Sequence, residues 1–378
     1  MKKTRILEVL YGLGYGGIRA CIQNYISKID REEFQIDIYA YGVSESPFKD
    51  QFEAMGCRVV LDPRNYIAEH KILQFVKVLT KFIREGHYDV VHAHCNLISA
   101  WVTLAAKRAG TRVRISHSHS SSHLSGRFVQ DCWCYFRRWI INNTATHKLA
   151  CGQLAGEAMY GSKTSFVVLP NAIDVEKFAR RDDARIEALR REFNIPQGAK
   201  VYMNMTRLDN NKNHSFLLDV IREINKIDPD AQFIIGGNYA DIDSSLELVK
   251  RKIIDYGLQD VVTLSGPRKD IIDLYHLSDC WIFPSIKEGL PFGPIEMQAA
   301  GVPCLVSDSV TKEIDLGLGL IEFMSLKQSP RDWAIKAYSM CPSKIDMDDI
   351  KKAFIKAGFD ITYNVDTLQH IYKGEIKC

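Results

Sequence analysis

Residues 283–303 read FPSIKEGLPFGPIEMQAAGVP, and this stretch carries the strongest indication of the fold. An apolar run at 279–283 precedes its loop and a helical pattern follows at 293–300, so a strand, a loop and a helix are predicted in that order. Seven residues separate Glu288 in the loop from Glu296, which is expected in the first helical turn. Both carboxylates can accept hydrogen bonds from the hydroxyls of a polyol, while backbone N–H groups from Leu290 to Gly293 face an anion. The structural alternative is a capped helix with incidental acidic residues.

The same alternation of short apolar runs and helical patterns extends along the whole chain. Strands are expected at 6–11, 35–41, 58–61, 90–94, 113–117, 147–151 and 165–169, and then at 200–205, 232–236, 261–265, 279–283 and 302–306. Strands that alternate with helices of about 10–15 residues indicate βαβ units and parallel sheets. Two successive sets predict an α/β protein of two doubly wound, Rossmann-like domains that face each other across a cleft. The turn-rich segment 169–174, LPNAID, is the expected linker, so the domains are predicted at 1–174 and 175–348.

Length and composition agree with two globular domains. The chain has 378 residues, of which 46% are hydrophobic and 25% are charged, and this excludes collagen-like, disordered and coiled-coil proteins. The net charge of +3 is small, but it is unevenly divided. Residues 1–180 contain 24 Lys and Arg against 16 Asp and Glu, whereas residues 181–378 contain 25 against 30. A basic half joined to an acidic half predicts different partners for the two domains.

The N-terminal segment and the cysteines indicate a cytoplasmic protein. The apolar run at 6–10 is interrupted by Glu8 and is too short for a signal peptide. The longest uncharged stretch, 90–106, falls short of a membrane-spanning helix. The ten cysteines contain no C-x-x-C pair and most lie in apolar runs, as expected of reduced core cysteines. The protein is therefore expected in the cytoplasm, either free or peripheral on the cytoplasmic face of the membrane.

A glycine-rich loop follows the first predicted strand. Gly12, Gly14 and Gly17 satisfy the spacing G-x-G-x-x-G, and glycines before a helix let an anion approach the backbone closely. The spacing alone supports an NAD-dependent oxidoreductase as an alternative function. The acidic residue expected about 20 positions later is Asp37, but it lies in the middle of a predicted strand. A turn required only for tight packing is the structural alternative.

Histidines are concentrated at two predicted strand ends, and one more follows: His92, His94, His117, His119 and His123. Alternation along a strand places His92 and His94 on one face, and His117 and His119 on one face. Three interpretations stay open: a metal site, structural hydrogen bonds, and a substrate contact by His117.

Two cations flank the loop after another predicted strand. Arg207 and Lys212 lie five residues apart in TRLDNNKN, next to a helix start. An arginine fork and a lysine point charge in this arrangement can bind a diphosphate. An ordinary solvated loop is the structural alternative.

Several of these motifs together resemble a known family. EGLPFGPIE followed by AAGVP, TRLDNNKN and LPNAIDVEKF are similar to motifs of retaining nucleotide-sugar glycosyltransferases of family 4, which have the GT-B fold. The resemblance covers nearly the whole chain, and the HAH and SHSHS segments resemble exopolysaccharide- and capsule-building members in particular.

The resemblance implies a role for each matching residue. Arg207 and Lys212 would hold the donor diphosphate, Glu296 the ribose hydroxyls, Glu288 the donor sugar, and His117 would lie beside that sugar. The implied catalytic residues are His117, Arg207, Lys212 and Glu288. The implied donor-binding residues are Gly16, Gly17, Arg207, Lys212, Glu288, Gly289, Leu290, Pro291, Phe292, Gly293 and Glu296. The C-terminal helices at about 349–378 would pack back on the first domain.

The resemblance also implies the reaction and the partners. A hexose would move from a nucleotide-diphosphate sugar to a hydroxyl of a saccharide with retention of configuration, and the acceptor would be linked to a polyprenyl diphosphate. No cofactor beyond the nucleotide-sugar co-substrate, no metal and no nucleic acid is expected, and Asp241 and Asp243 are interpreted as part of a solvated loop. The alternatives are a GT-B nucleotide-sugar epimerase, the NAD-dependent oxidoreductase and a non-catalytic binding protein.

The sequence departs from the motifs of the family at two places. The usual G-G-A-E of the first loop is here Gly16-Gly17-Ile18-Arg19, so a base replaces an acid, and the usual N-G-[IV]-D is Asn171-Ala172-Ile173-Asp174.

In the basic half, six arginines occur near four aromatic residues: Arg108, Arg112, Arg114, Arg127, Arg137 and Arg138, with Trp133, Tyr135, Phe136 and Trp139. A basic and aromatic surface predicts contact with an anionic membrane, and a solvated helix with a buried aromatic stripe is the alternative.

Overall fold

The computed structural model of the chain describes residues 3–120, 128–237, 244–342 and 345–376. The chain divides into two compact units, Met1–Ile173 with Gly358–Cys378 and Asp174–Ala357. The division lies one residue before the linker end expected from the sequence. The return of the chain to the first unit begins later than expected, because the helix Met347–Ala357 belongs to the second unit and packs on two of its helices.

The first unit contains a seven-stranded parallel sheet in the order β3-β2-β1-β4-β5-β6-β7. Its strands are β1 (Thr4–Tyr11), β2 (Phe34–Tyr41), β3 (Arg58–Asp62), β4 (Val90–Ala93), β5 (Val113–Ser118), β6 (His147–Ala150) and β7 (Val167–Val168). Its helices are α1 (Gly17–Lys28), α2 (Lys49–Ala54), α3 (Ile72–Glu85), α4 (Ser99–Ala109), α5 (Phe128–Thr144) and α6 (Gln153–Tyr160), joined by the last helix of the chain.

The second unit contains a six-stranded parallel sheet in the order β10-β9-β8-β11-β12-β13. Its strands are β8 (Val201–Met205), β9 (Gln232–Gly236), β10 (Val262–Gly266), β11 (Cys280–Phe283), β12 (Cys304–Ser307) and β13 (Ile321–Met324). Its helices are α7 (Val175–Ala179), α8 (Asp183–Glu192), α9 (His214–Ile227), α10 (Ser244–Asp255), α11 (Ile271–Leu277), α12 (Phe292–Ala299), α13 (Pro330–Ser339) and α14 (Met347–Ala357). The strand β13 was not expected from the sequence, because its four residues form a short edge strand with an exposed Glu322.

Apolar periodicity explains how the helices attach to the sheets. The α9 helix buries Leu217, Leu218, Ile221 and Ile224, which recur at the spacing of one helical face. They join a core that includes the fully buried β12 residue Leu305. Both faces of the sheet strands are covered, so their sequences are almost continuously apolar, as is usual for parallel sheets.

The last helix, α15 (Ile361–Lys373), completes the first unit. The Asp360 side chain caps its start by accepting from the Thr362 N–H at 2.8 Å. Leu368, Ile371 and Tyr372 are buried on the face of α15 that packs near α1 and β1. Residues from the end of the chain therefore complete the core next to its first strand.

The strand order reverses once in each sheet, and this determines where a ligand is expected. In the first sheet the chain turns from β1 toward β2 and β3, and later resumes on the other side of β1 at β4. In the second sheet the same reversal lies between β8 and β11. Loops after such neighbouring strands diverge and leave a crevice at their carboxyl ends, where doubly wound proteins bind ligands.

The α12 helix packs unusually closely on β11. A Cβ atom at Gly293 would lie 1.8 Å from the Trp281 ring, so only glycine fits this second helical position. The helix begins after Pro291 and also has proline at position 294. Glu296 is the fifth residue of α12 and lies just beyond the predicted first turn, because the helix begins at Phe292, one residue earlier than the sequence predicts.

We expect Gly293→Ala to lower the free energy of unfolding by about 3 kcal/mol, because the buried Trp281 ring would have to move. Chemical denaturation followed by circular dichroism measures this loss. Gly14→Ala is the control, since a Cβ atom there meets nothing within 4 Å. Equal stability of the two variants would contradict the close packing of α12.

Candidate functional site

The loop after β8 presents the two predicted cations. A short 3-10 turn at Asn210–Lys212 follows the strand, and the Asp209 side chain caps it by accepting from the Lys212 N–H at 3.1 Å. The same carboxylate pairs with Arg207, whose nitrogen lies 3.1 Å away and whose side chain is half exposed. Asp209 therefore orients both the loop and the arginine.

Lys212 meets Glu288 from the loop after β11. The Lys212 Nζ lies 2.6 Å from Glu288 Oε1, and both side chains are mostly buried at 14% exposure. The Asn211 amide donates to the same Glu288 oxygen at 3.1 Å and to the Lys287 carbonyl. The ammonium also lies 5.0 Å from the centre of the Phe283 ring. The cation and carboxylate predicted from separate motifs thus meet at the strand-order reversal, where Asn211 ties the two loops together.

Glu296 is oriented by a different neighbour. The Tyr275 hydroxyl donates to Glu296 Oε2 at 2.6 Å. Burial, together with this carboxylate, raises the pKa of Tyr275 well above its usual range, so the phenol stays a donor. Glu296 keeps a fixed position on α12 with capacity to accept further hydrogen bonds.

The N-terminus of α12 offers fewer amides than the sequence analysis expected. Pro291 and Pro294 have no N–H, so the donors in this turn are the amides of Leu290, Phe292 and Gly293. The first amides of a helix lack intrahelical acceptors and carry the positive end of its dipole. Gly289 precedes this turn in the same loop.

The glycine loop of the first unit leads from β1 into α1. Gly12 adopts a φ of 63°, a conformation that favours glycine, and Gly16 is the N-cap of α1, followed by Gly17 as its first residue. Arg19, which replaces the usual acid, donates to Gln23 and lies 4.3 Å from the centre of the Phe48 ring. The arginine is therefore packed along the start of the helix.

Asp37 does not occupy the position that a dinucleotide site requires. It is 1% exposed in the middle of β2, where the Tyr88 hydroxyl donates to it at 2.8 Å and Arg5 pairs with it at 3.3 Å. An acid that binds a ribose would stand at the carboxyl end of the strand. Asp37 therefore cannot serve as the ribose-binding acid that the oxidoreductase alternative requires.

The predicted histidine strand ends form one buried network around Glu8. His94 Nε2 lies 2.7 Å from Glu8 Oε2, and His94 Nδ1 lies 2.8 Å from His119 Nε2. On the other carboxylate oxygen, the Tyr372 hydroxyl donates at 2.7 Å. Glu8, on β1, is thus the common acceptor for groups from β4 and α15.

A second branch continues from Tyr372. His92 Nδ1 lies 2.9 Å from the Tyr372 hydroxyl oxygen, and His92 Nε2 lies 3.1 Å from His117 Nδ1. His117 is 1% exposed and its Nε2 makes no hydrogen bond of normal geometry, with the Leu169 carbonyl as the acceptor nearby. The side chain predicted to lie beside the sugar is therefore enclosed between sheet and helices, and its predicted role stays a prediction.

The carboxylate sets the direction of the first branch. An ionised carboxylate only accepts, so His94 must donate to it through Nε2. A neutral imidazole has one donor, so His94 Nδ1 accepts from His119 Nε2–H, which leaves His119 Nδ1 as an acceptor. His119 is partly exposed, whereas His117 is buried. Of this pair, His119 is the residue that retains exposed surface.

The environment holds this network in one protonation state. Burial alone would raise the pKa of Glu8, but His92 and the hydrogen bonds from both neighbouring histidines keep that pKa well below its usual range. Burial and the nearby His92 lower the pKa of His94 to about 4, although Glu8 acts in the opposite direction. Burial, followed by its histidine neighbours, lowers the pKa of His117 well below the usual value.

The metal interpretation has a geometric basis in this network. One ligand atom from each of His92, His94 and His117 lies within 4.8 Å of the others. The rings form short contacts with one another, with Glu8 and with Tyr372. These contacts support the other interpretation, in which the histidines make structural hydrogen bonds. His123, and Asp241 and Asp243, lie outside the described residues.

Sequence reasoning missed several residues of these sites. Glu8 could have been identified from the sequence, because it is the only charged residue within its apolar run. Asn211 could also have been identified, because it lies in the polar NNKN segment. Nothing in the sequence points to Tyr372 or Tyr275, since a tyrosine in an amphipathic helix is indistinguishable from an ordinary core residue.

Comparison with known families agrees with this geometry. Residues 15–177 match the family described as Glycosyltransferase Family 4, and residues 185–313 match the family described as Glycosyl transferases group 1. These matches cover most of the chain and include the loops after β8 and β11 in the second unit. The chain is a family 4 glycosyltransferase.

Individual proteins support this membership. The glycosyltransferase is 31% identical over 378 residues to EpsF of Bacillus subtilis (strain 168), with 98% of this chain and 96% of EpsF covered. It is 23% identical to the capsular polysaccharide biosynthesis glycosyltransferase CapH of Staphylococcus aureus, with 98% and 99% covered. It is also 27% identical over 240 residues to an Escherichia coli α-1,3-galactosyltransferase that uses UDP-Gal and α-D-GlcNAc-diphosphoundecaprenol, with 61% and 60% covered.

A solved structure shows the fold class. Anabaena HepE, crystallised with UDP and glucose, superposes with a TM-score of 0.79 at 17% identity, with 98% of this chain and 99% of HepE covered. The predicted GT-B fold of this glycosyltransferase, with two Rossmann-like domains, is confirmed. Among the described residues, no helix combines the length and the apolar character needed to span a bilayer.

We expect the folded state of this glycosyltransferase to lose stability as the pH falls from 7 to 4. The folded chain keeps His94 neutral down to about pH 4, whereas the unfolded chain binds a proton near pH 6.5, so acid favours unfolding in that window. The lowered pKa of Glu8 adds a loss below its ordinary value of 4.5. Melting curves should show a midpoint lower by roughly 5–10 °C at pH 4.5 than at pH 7.

Two variants separate the network from other titrating groups. His94→Gln should reduce the dependence between pH 6.5 and 5 and leave the part that His117 contributes, whereas His70→Gln, at an exposed position, should keep the full dependence. A wild-type midpoint that does not change between pH 7 and 5 would contradict the buried neutral state of His94.

Proposed function

We propose that this glycosyltransferase moves a hexose from a nucleotide-diphosphate sugar to a saccharide hydroxyl, with retention of configuration, in cell-surface polysaccharide synthesis. The observation that carries the proposal is the Lys212–Glu288 pair beside the N-terminus of α12, at the strand-order reversal of the second sheet. Similarity to CapH supports the polysaccharide role. Similarity to the E. coli galactosyltransferase supports an acceptor linked to a polyprenyl diphosphate, which would place the reaction at the cytoplasmic face of the membrane.

The second unit supplies the groups for the donor. Arg207 and Lys212 would hold the diphosphate, together with the amides at the start of α12, because both cations lie in the loop after β8, where Lys212 meets the loop that leads into α12. Glu296 would accept hydrogen bonds from the ribose hydroxyls, and Glu288 from the sugar hydroxyls. The Tyr275 and Asn211 contacts support these roles, since they hold the two carboxylates in place.

A front-face displacement fits these groups. The bond between the anomeric carbon and the diphosphate oxygen breaks, and the acceptor oxygen bonds to the same face of that carbon. The acceptor proton passes to the departing diphosphate, whose charge Arg207 and Lys212 stabilise. Glu288 already forms an ion pair with Lys212 and accepts a hydrogen bond from the Asn211 amide. With its charge partly neutralised in this way, Glu288 is better suited to accept a hydrogen bond from the sugar than to act as a nucleophile.

Neutralisation of the leaving group by two cations and a helix N-terminus supports a reaction that needs no metal and no cofactor. The first unit would serve the acceptor side, with Gly16 and Gly17 below the donor phosphate. We assign the contact with a sugar hydroxyl to His119 because its Nδ1 is an acceptor on a partly exposed ring, with Glu8 and His94 as positioning residues.

We expect Lys212→Ala to weaken binding of the nucleotide sugar by about 30-fold, because a charge-assisted contact with the diphosphate is lost. Titration calorimetry measures the affinity, after a thermal-shift comparison of UDP-, GDP- and ADP-sugars identifies the donor. Lys226→Ala is the matched control, since Lys226 lies in the last turn of the helix that begins beside Lys212. An unchanged donor affinity in Lys212→Ala would contradict the proposed diphosphate site.

Glu288→Gln should lower kcat by about 100-fold or more and change KM little, because the carboxylate aligns the sugar during transfer. Steady-state transfer assays separate the two constants. Glu187→Gln, at an exposed position on α8, should keep the normal rate. Near-normal turnover in Glu288→Gln would count against the role of this carboxylate.

A further inference from the structure

The outer surface of α5 is more aromatic than a soluble domain needs. Four large side chains of this helix are 45–62% exposed: Trp133, Tyr135, Phe136 and Trp139. We call these four residues the aromatic face of α5. The alternative from the sequence, a buried aromatic stripe, does not describe them, because each is 45% or more exposed, including Phe136, whose ring lies 6.3 Å from that of the buried Trp101 of α4.

The aromatic face is continuous and carries no charge. With 3.6 residues per turn, its four side chains fall within an arc of about 160° on the helix, and Asp131, Arg137 and Arg138 fall outside that arc. The Phe136 ring lies 5.8 Å from Trp133 and 6.2 Å from Trp139, measured between ring centres. Clustered aromatic rings of this kind mark an interaction surface more strongly than scattered apolar residues do.

The opposite side of α5 anchors the helix to the domain. Ile141 on that side is buried, and the Thr144 hydroxyl lies 2.7 Å from the Thr103 hydroxyl of α4. Ile140 falls within the arc of the aromatic face but is also buried, so the exposed face ends at Trp139. The Arg138 guanidinium donates to the Ala158 and Met159 carbonyls near the end of α6. The helix is therefore held by its inner side, and the aromatic face stays outside as a rigid surface.

Positive charge surrounds this face. Lys107 and Arg108 are exposed in the last turn of α4, and Lys107 donates to the Asn143 carbonyl of α5 at 3.1 Å. Arg137 adds positive charge on α5 itself, and Asp131 is the acidic residue of its first turn. Three basic residues, Lys107, Arg108 and Arg137, thus border the face against this one acid, within a half of the chain that is basic as a whole.

We propose that the aromatic face of α5 docks on the surface of an anionic phospholipid bilayer. Tryptophan and tyrosine prefer the interface between headgroups and acyl chains, and adjacent lysine and arginine residues are attracted to anionic headgroups. A charge-free aromatic arc with basic borders has this combination. The α5 helix would lie parallel to the membrane, with its four rings at headgroup depth.

The inference deepens the proposed function and rests on it in one respect, since a polyprenyl-linked acceptor is held in such a bilayer. Docking through α5 would keep the acceptor domain at the surface where that acceptor is found. The same face would act independently of the donor loops of the second unit.

Cosedimentation of the full chain with lipid vesicles tests this inference. Vesicles of phosphatidylcholine mixed with phosphatidylglycerol should bind the protein at low salt, and those of phosphatidylcholine alone should bind it weakly. The double variant Trp133→Ser and Trp139→Ser should lose roughly tenfold or more of its partitioning into the anionic vesicles. The double variant Leu73→Ser and Tyr363→Ser, changed at positions exposed by 83% and 58% on other helices, should bind like the wild type.

Two further measurements make the outcome specific. The thermal shift caused by the nucleotide sugar should be the same in the tryptophan variant and in the wild type, which shows that the variant is folded. Equal vesicle binding by wild type and variant would overturn the inference, as would a wild-type dimer that the tryptophan substitutions convert to a monomer. If the wild type binds anionic vesicles but binds no nucleotide sugar, the proposed function is refuted and the inferred docking surface is not.

Discussion

The parallel pairing of the strands in both sheets is the constraint on which the rest of this protein depends. Parallel neighbours end at the same sheet edge, so residues far apart in the chain meet there. Lys212 and Glu288 follow strands that are adjacent in the sheet but separated by two intervening strands in the chain. Glu8 and His92 are direct partners in the register of β1 and β4. Both sites are products of this one geometric rule.

The two sites solve opposite electrostatic problems. In the second unit, the mostly buried Lys212 and Glu288 neutralise each other, and Arg207 is half exposed beside Asp209. Hydrogen bonds orient Glu288 and Glu296. In the first unit, a carboxylate is buried and is stabilised by donors from Tyr372 and His94. An ionised group in that position would be costly without them. The buried network therefore orients the strand ends of the first sheet, while the second network holds charged side chains at the strand-order reversal of the second sheet.

The fold, and the positions of most residues of the candidate site in the second unit, were predictable from the sequence because they depend on local patterns. Alternating apolar runs locate the strands, and EGLPFGPIE places two carboxylates and a helix start in one loop. The choice between His117 and His119 was not predictable, because strand alternation puts both on the same face and only packing by α1 and α15 buries one of them. The Tyr275 and Tyr372 contacts depend on tertiary packing in the same way, and the helix start of α12 had to be known to place Glu296.

The position of α15 has a consequence for how the protein is made. Tyr372 donates to Glu8, so the hydrogen bonds of the first strand are completed by a residue 364 positions later in the chain. During synthesis the ribosome releases β1 and its neighbours long before it reaches α15. The nascent first domain must therefore wait, with Glu8 incompletely satisfied, until α15 has been synthesised. Its final consolidation comes late in synthesis, although β1 and its neighbouring strands are made much earlier.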